Sequence, residues 1–181
     1  MKYRHVTACA LTLGAGAAVA LAGAAFAGTA DRPADGALHA SATLIDATGA
    51  EIGWATFVED ATGTVHVNVK VDGLSPGRHG IHIHRVGACS PDFAAAGSHH
   101  NPLGAAHGSH AGDLPNLDVN ANGRGRINAT TDLATLSGGP LSVFDADGSA
   151  LVIHADEDDL VTDPTGNSGA RIACGVIAAD G

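Results

Sequence analysis

Residues 64–72 read TVHVNVKVD. Val65, Val67, Val69 and Val71 fall on one parity, and His66, Asn68 and Lys70 on the other. A period of two, with β-branched residues on one side only, is the pattern of a strand that has one face on a core and one in water. Shorter runs of the same kind lie outward from it, at 37–46, 52–58, 80–86, 116–121, 124–131, 149–155 and 170–177. Turn signals such as Thr48-Gly49 and GLSPG at 73–77 separate them. No stretch after residue 27 sustains a helical period. The expected fold is therefore all-β, with about eight short antiparallel strands closed as a sandwich or barrel. Trp54 and Phe57 are expected to pack within it.

Two stretches break the pattern. Residues 87–115 are rich in glycine and turns, with little apolar periodicity, and residues 156–169 are acidic and then turn-rich. Loops of this length inside a compact domain are uncommon unless they carry function.

The chain of 181 residues suits one domain. With 19 acidic residues against nine Lys and Arg, its formal charge is −10, which argues against binding nucleic acid phosphates. Residues 1–27 read as a secretory signal peptide. Lys2 and Arg4 form a basic head, residues 6–26 carry no charge, and Ala25-Phe26-Ala27 fits the small-x-small cleavage rule. The alternative is a membrane anchor, but a stretch built largely of Ala and Gly is only weakly hydrophobic. Removal of the signal leaves no stable membrane span, a flexible lead-in at 28–36 and a domain at 37–181. The chain from residue 28 keeps seven Lys and Arg and all 19 acidic residues, a charge of −12. Its two cysteines, Cys89 and Cys174, read as one disulfide in an oxidising compartment, against two buried thiols in a reducing one.

Eleven histidines in so acidic a chain are unusual, and histidine is the commonest metal ligand. His82 and His84 flank Ile83 on a strand, so both imidazoles share one face. The first long loop holds His99, His100, His107, His110 and Asp113. His107-x-x-His110-x-x-Asp113 has helical spacing, but Gly104, Gly108 and Gly112 favour a loop. Two imidazoles and a carboxylate suit zinc with a fourth ligand. Either His99 or His100 is placed to be that ligand, and only one of two neighbours on an extended chain can point in. His154 ends the strand ALVIH at 150–154 and precedes four acidic residues at 156–159. One of those carboxylates could take the second N–H of a ligating imidazole. His39 and His66 read as surface.

Five motifs together resemble the copper/zinc superoxide dismutase family: GIHIH at 80–84, AGSHHNP at 96–102, HGSHAGDLPN at 107–116, ALVIHADEDDL at 150–160 and GNSGARIACGVI at 166–177. CSPDFAAAG at 89–97 looks most like its exported bacterial branch. The resemblance implies an eight-stranded Greek-key β-barrel, copper and zinc as cofactors, and superoxide as substrate, dismuted to oxygen and hydrogen peroxide. It implies that His82, His84, His99 and His154 bind copper, and that His99, His107, His110 and Asp113 bind zinc. His99 then bridges the two metals and relays a proton, and Asp158 links a copper histidine to a zinc histidine. Arg171 guides the anion, the Cys89–Cys174 disulfide pins the metal loop, and His79 supports the copper site without ligating.

Two departures stand out. His100 occupies a position where the family more often has an aromatic or other large residue. The loop at 159–170 lacks Lys and Glu, which places local substrate attraction on Arg171. The resemblance implies export to the periplasm, cell envelope or medium, and leaves monomer and homodimer both open.

Overall fold

A computed structural model describes residues 37–181; residues 1–36, read from the sequence as a signal peptide and lead-in, lie outside the described residues. The fold is an antiparallel β-barrel. Its strands are β1 (Leu38–Asp46), β2 (Glu51–Glu59), β3 (Val65–Val71), β4 (Gly77–His79), β5 (Ile81–His84), β6 (Leu117–Val119), β7 (Gly125–Thr131), β8 (Ala150–His154), β9 (Arg171–Val176) and β10 (Ala178–Ala179). A single 3-10 turn at Phe93–Ala96 interrupts the first long loop. Among the described residues no helix is long and apolar enough to cross a membrane.

The alternating valines of β3 behave as their parity requires. Val65, Val67, Val69 and Val71 are buried, whereas His66 and Lys70 are exposed. The strand pairs with β2 on one side and β7 on the other. Leu44, Phe57, Ile81, Ile83, Leu117, Leu151 and Ile153 complete one continuous core. Burying side chains of this size stabilises the fold by about 1.5–3 kcal/mol each.

Trp54 does not pack there. It is 40% exposed, because residues three apart on a strand face opposite ways and Phe57 takes the inward parity with Ala55.

Ten strands appear where eight were expected, and the difference lies in two interruptions. The residues at 73–77 do turn, but the chain is already extended from Gly77. β4 pairs with β6 and β5 with β8, so one run of chain changes partner at Gly80. The sheet runs β4-β6-β7-β3-β2-β1-β9-β8-β5, and its two terminal strands are thus consecutive in sequence. The covalent chain at Gly80 closes the barrel. A Cβ at Gly80 would stand 2.7 Å from the Ser168 Cβ, so only glycine permits this approach of strand and loop. In the same way β10 continues β9 past Ile177 and pairs with β1.

The long loop is held against the outside of the barrel. A second apolar cluster of Ala96, Ala150, Val152 and Cys174, joined by Cys89 and Phe93, lies on the outer face of β8 and β9. The Cys89–Cys174 disulfide, with a Cα–Cα distance of 5.8 Å, crosses this cluster. It anchors the loop between β5 and β6 to a strand 85 residues further on.

Candidate metal centre

The strand β5 places Ile81 and Ile83 in the core and turns His82 and His84 outward, as the period of two requires. Both imidazoles are nonetheless buried, because the long loop lies along β5 like a further strand. Ile83 donates to Gly112 O (2.8 Å), His100 donates to Ile83 O (2.8 Å) and Arg85 donates to Ser98 O (3.0 Å). His84 pairs across this seam with His99, and His82 with Asp113. The seam also decides between the adjacent histidines. His99 turns into the cluster, while His100 turns away and its Nε2 lies 3.3 Å from Leu141 O.

Two groups of donor atoms result. One atom from each of His82, His84, His99 and His154 lies within 4.8 Å of the others, and so does one from each of His99, His107, His110 and Asp113. His99 belongs to both. Its Nδ1 stands 2.9 Å from Asp113 Oδ1 and 3.3 Å from His110 Nδ1, and its Nε2 has no hydrogen-bond partner.

The protein's own acceptors settle which nitrogen each ring can offer. Asp158 takes His82 Nε2–H on Oδ2 (2.6 Å) and His107 Nε2–H on Oδ1 (2.8 Å). His84 donates from Nδ1 to Gly97 O (2.8 Å), and His154 from Nδ1 to Gly169 O (3.2 Å). This leaves His82 Nδ1, His84 Nε2, His154 Nε2 and His107 Nδ1 for the interior of the cluster. His82 Nδ1, His99 Nε2 and His107 Nδ1 are fully buried without a hydrogen-bond partner. Native folds rarely leave buried nitrogens unsatisfied, so these three, distributed over the two donor groups that share His99, fit bound cations.

Electrostatics point the same way. Burial pushes the His84 imidazole down to about 2 and His154 down to about 4. It also lowers His82, against the hydrogen bond to Asp158. Burial alone would raise Asp158 and Asp113, but histidine and backbone hydrogen bonds together with neighbouring imidazole charge outweigh it, and both are lowered. At neutral pH these groups are neutral imidazoles and ionised carboxylates, the protonation states that bind metal.

Asp158 is thus the one carboxylate of the four at 156–159 that reaches the histidines. Its backbone is clamped by Asn116, which donates from Nδ2 to Asp158 O and accepts Asp158 N–H on Oδ1, both at 2.8 Å. Asp163 accepts His107 N–H at 2.7 Å. Neither Asn116 nor Asp163 was singled out from the sequence, since no local spacing announces a contact across more than 40 residues. Gly166, with φ +61°, lies beneath the Asp158–His107 hydrogen bond, where a Cβ would collide with both partners. His79 is buried outside the donor groups, with its ring nitrogens 2.8 Å from His154 O and 2.9 Å from Ser75 O.

Arg171 lies opposite His154 in the β8–β9 register and donates to Phe93 O and Gly97 O. It lines a cleft of about 540 Å³ together with Cys89, Asp92 and Phe93. The disulfide and Arg171 therefore hold the same loop segment.

Residues 51–177 match the family described as copper/zinc superoxide dismutase. The superoxide dismutase-like protein YojM of Bacillus subtilis is 40% identical over 143 residues, covering 74% of this chain and 73% of the relative. A Cu-Zn superoxide dismutase of Deinococcus radiodurans is 41% identical over 157 residues, covering 76% and 83%. The crystal structure of a SOD-like protein from Bacillus subtilis superposes with a TM-score of 0.71 at 39% identity, over 75% of this chain and 96% of that one.

Proposed function

Since the chain belongs to the copper/zinc superoxide dismutase family, we propose that it disproportionates superoxide, converting two superoxide anions and two protons into dioxygen and hydrogen peroxide. The observation that carries this reading is the pair of four-donor clusters sharing His99. We assign copper to His82, His84, His99 and His154, and zinc to His99, His107, His110 and Asp113. A three-imidazole-plus-carboxylate set is the tetrahedral donor set that zinc favours, and four imidazoles suit copper. Copper supplies one-electron redox chemistry when bound, and zinc, which has none, supplies structure.

The chain's own residues do the rest. With both sites filled, His99 would offer one nitrogen to each group and would then carry neither ring proton. Its Nε2, buried without a hydrogen-bond partner, would hold a proton whenever it is not bound to copper and would give it up to the peroxide product. Asp158 fixes the rings of His82 and His107 at once, coupling the two sites through one carboxylate. Arg171 presents a fixed cation beside His84 and His154, and a cleft cation attracts an anion even in an acidic protein.

Export of the mature chain from residue 28 belongs to the same proposal. It is supported by the signal-like head and by the disulfide, which persists in oxidising compartments. The decisive experiment combines metal analysis with superoxide turnover. One copper and one zinc per chain with superoxide-dependent peroxide formation is the expected result. Full loading without turnover would overturn the enzymatic reading in favour of a metal-binding protein.

A further inference from the structure

On the wall of the barrel across from β5 and β8, three side chains of adjacent strands stand in one row. Trp54 of β2 pairs with Lys70 of β3, and Lys70 pairs with Arg126 of β7. All three face outward, and the Lys70 Nζ lies 5.0 Å from the centroid of the indole. The row lines a cavity of about 660 Å³, with Ile52 and Asn120 also on its wall.

The charges around this cavity are not those of the rest of the surface. Residues 37–181 hold only six Lys and Arg against 17 Asp and Glu. Three of the six, Lys70, Arg124 and Arg126, line this one cavity. Arg124 is matched by Asp72 at 3.1 Å, and Asp118 is matched by Arg78 at 3.5 Å. Lys70 and Arg126 have no carboxylate partner among the described residues. Two uncompensated cations therefore stand in line with an exposed indole, on a molecule that is otherwise strongly acidic. The core does not require Trp54, since Ala55 and Phe57 fill the inward parity of β2.

We infer that this row is a docking site for an acidic glycan, a chain of uronate sugars. The indole offers a flat apolar face to one sugar ring, with polar rims around it. Lys70 and Arg126 stand about one and two strand spacings further on, roughly 5 and 10 Å, and receive carboxylates along the same chain. Nucleic acid is a poor match, because two free cations cannot offset the repulsion of so acidic a domain. A second copy docked on the same face would gather four uncompensated cations into one interface, since a two-fold contact uses the same patch of both copies. A glycan held here leaves the metal cluster, on the other wall, open to its substrate.

Trp54 is the only tryptophan of the chain, so its fluorescence reports on the site directly. The metal-loaded protein titrated with oligogalacturonate at low ionic strength should show a saturable change in emission, which added salt reverses. Neutral dextran should leave it unmoved. Lys70→Glu/Arg126→Glu, and independently Lys70→Gln/Arg126→Gln, should weaken binding by about tenfold or more, with superoxide turnover unchanged. An emission unmoved by oligogalacturonate, or equal binding by both double variants and the wild type, overturns the site. So does a change that follows protein concentration instead of glycan, which would assign this face to a second copy.

Discussion

His84 and Arg171 donate to one and the same carbonyl oxygen, that of Gly97. A cluster histidine and the cation beside it are thereby tied to a single point of the loop that the disulfide anchors. Arg171 also holds Phe93 O, so its planar fork spans two carbonyls of that loop. Arg171→Ala removes both the charge and the fork. The expected outcome is a fall in kcat/KM of about tenfold or more with a weaker dependence on salt. Arg171→Lys restores the charge without the fork and should recover only part of the rate. Turnover by Arg171→Ala that matches the wild type across ionic strength would show that this cation does not attract substrate.

Asp158 joins the two donor groups through His82 and His107. Asp158→Asn keeps the shape but turns one N–H acceptor into a donor, so one of the two imidazoles loses its orientation. Affinity for metal should fall by about 10- to 100-fold, as measured by competition with a chelator. Asn116→Ala acts through the backbone of the same residue and should shift the same competition curve in the same direction.

The metal-free protein should lose stability as acid is added. Burial holds His154 at about 4 and His84 at about 2, against 6.5 in the unfolded chain. Between 6.5 and those values the unfolded chain takes up protons that the folded chain refuses, so stability falls as pH drops through this window. The lowered carboxyls of Asp158 and Asp113 extend the loss below 3.8 in the same direction. Thermal unfolding of chelator-treated protein from pH 7.5 to 4.5 should show a steadily falling Tm. A Tm that rises on acidification would contradict the depressed imidazoles.

Glu59, only 3% exposed, is held by three donors of the loop that follows β7: Leu136 N–H (2.6 Å), Ser137 N–H (2.6 Å) and Ser137 Oγ–H (2.7 Å). Glu59→Gln places an amide where the carboxylate accepted and should cost about 2–3 kcal/mol in denaturant unfolding. Metal content at saturation should be unchanged, because Leu136 and Ser137 hydrogen-bond to Glu59 and to no residue of the donor clusters.

The sequence by itself determined what local periodicity can carry. The parity of 64–72 sets a half-buried strand, and the same rule sets His82 and His84 on one face with Ile81 and Ile83 on the other. The order of the motifs along the chain supplied the donor types and the family. Tertiary structure alone decided the rest. It turned His99 in and His100 away, chose Asp158 among four neighbouring acids, and brought Asn116 onto the Asp158 backbone. It also left Trp54 outside the core and made one run of chain change partners at Gly80. The reason is one of range. A strand's two-residue period is dictated by its own backbone, but the partner that satisfies a buried N–H or carbonyl comes from wherever the barrel brings the chain back. For the imidazoles held by Asp158, that partner lies 51 and 76 residues away.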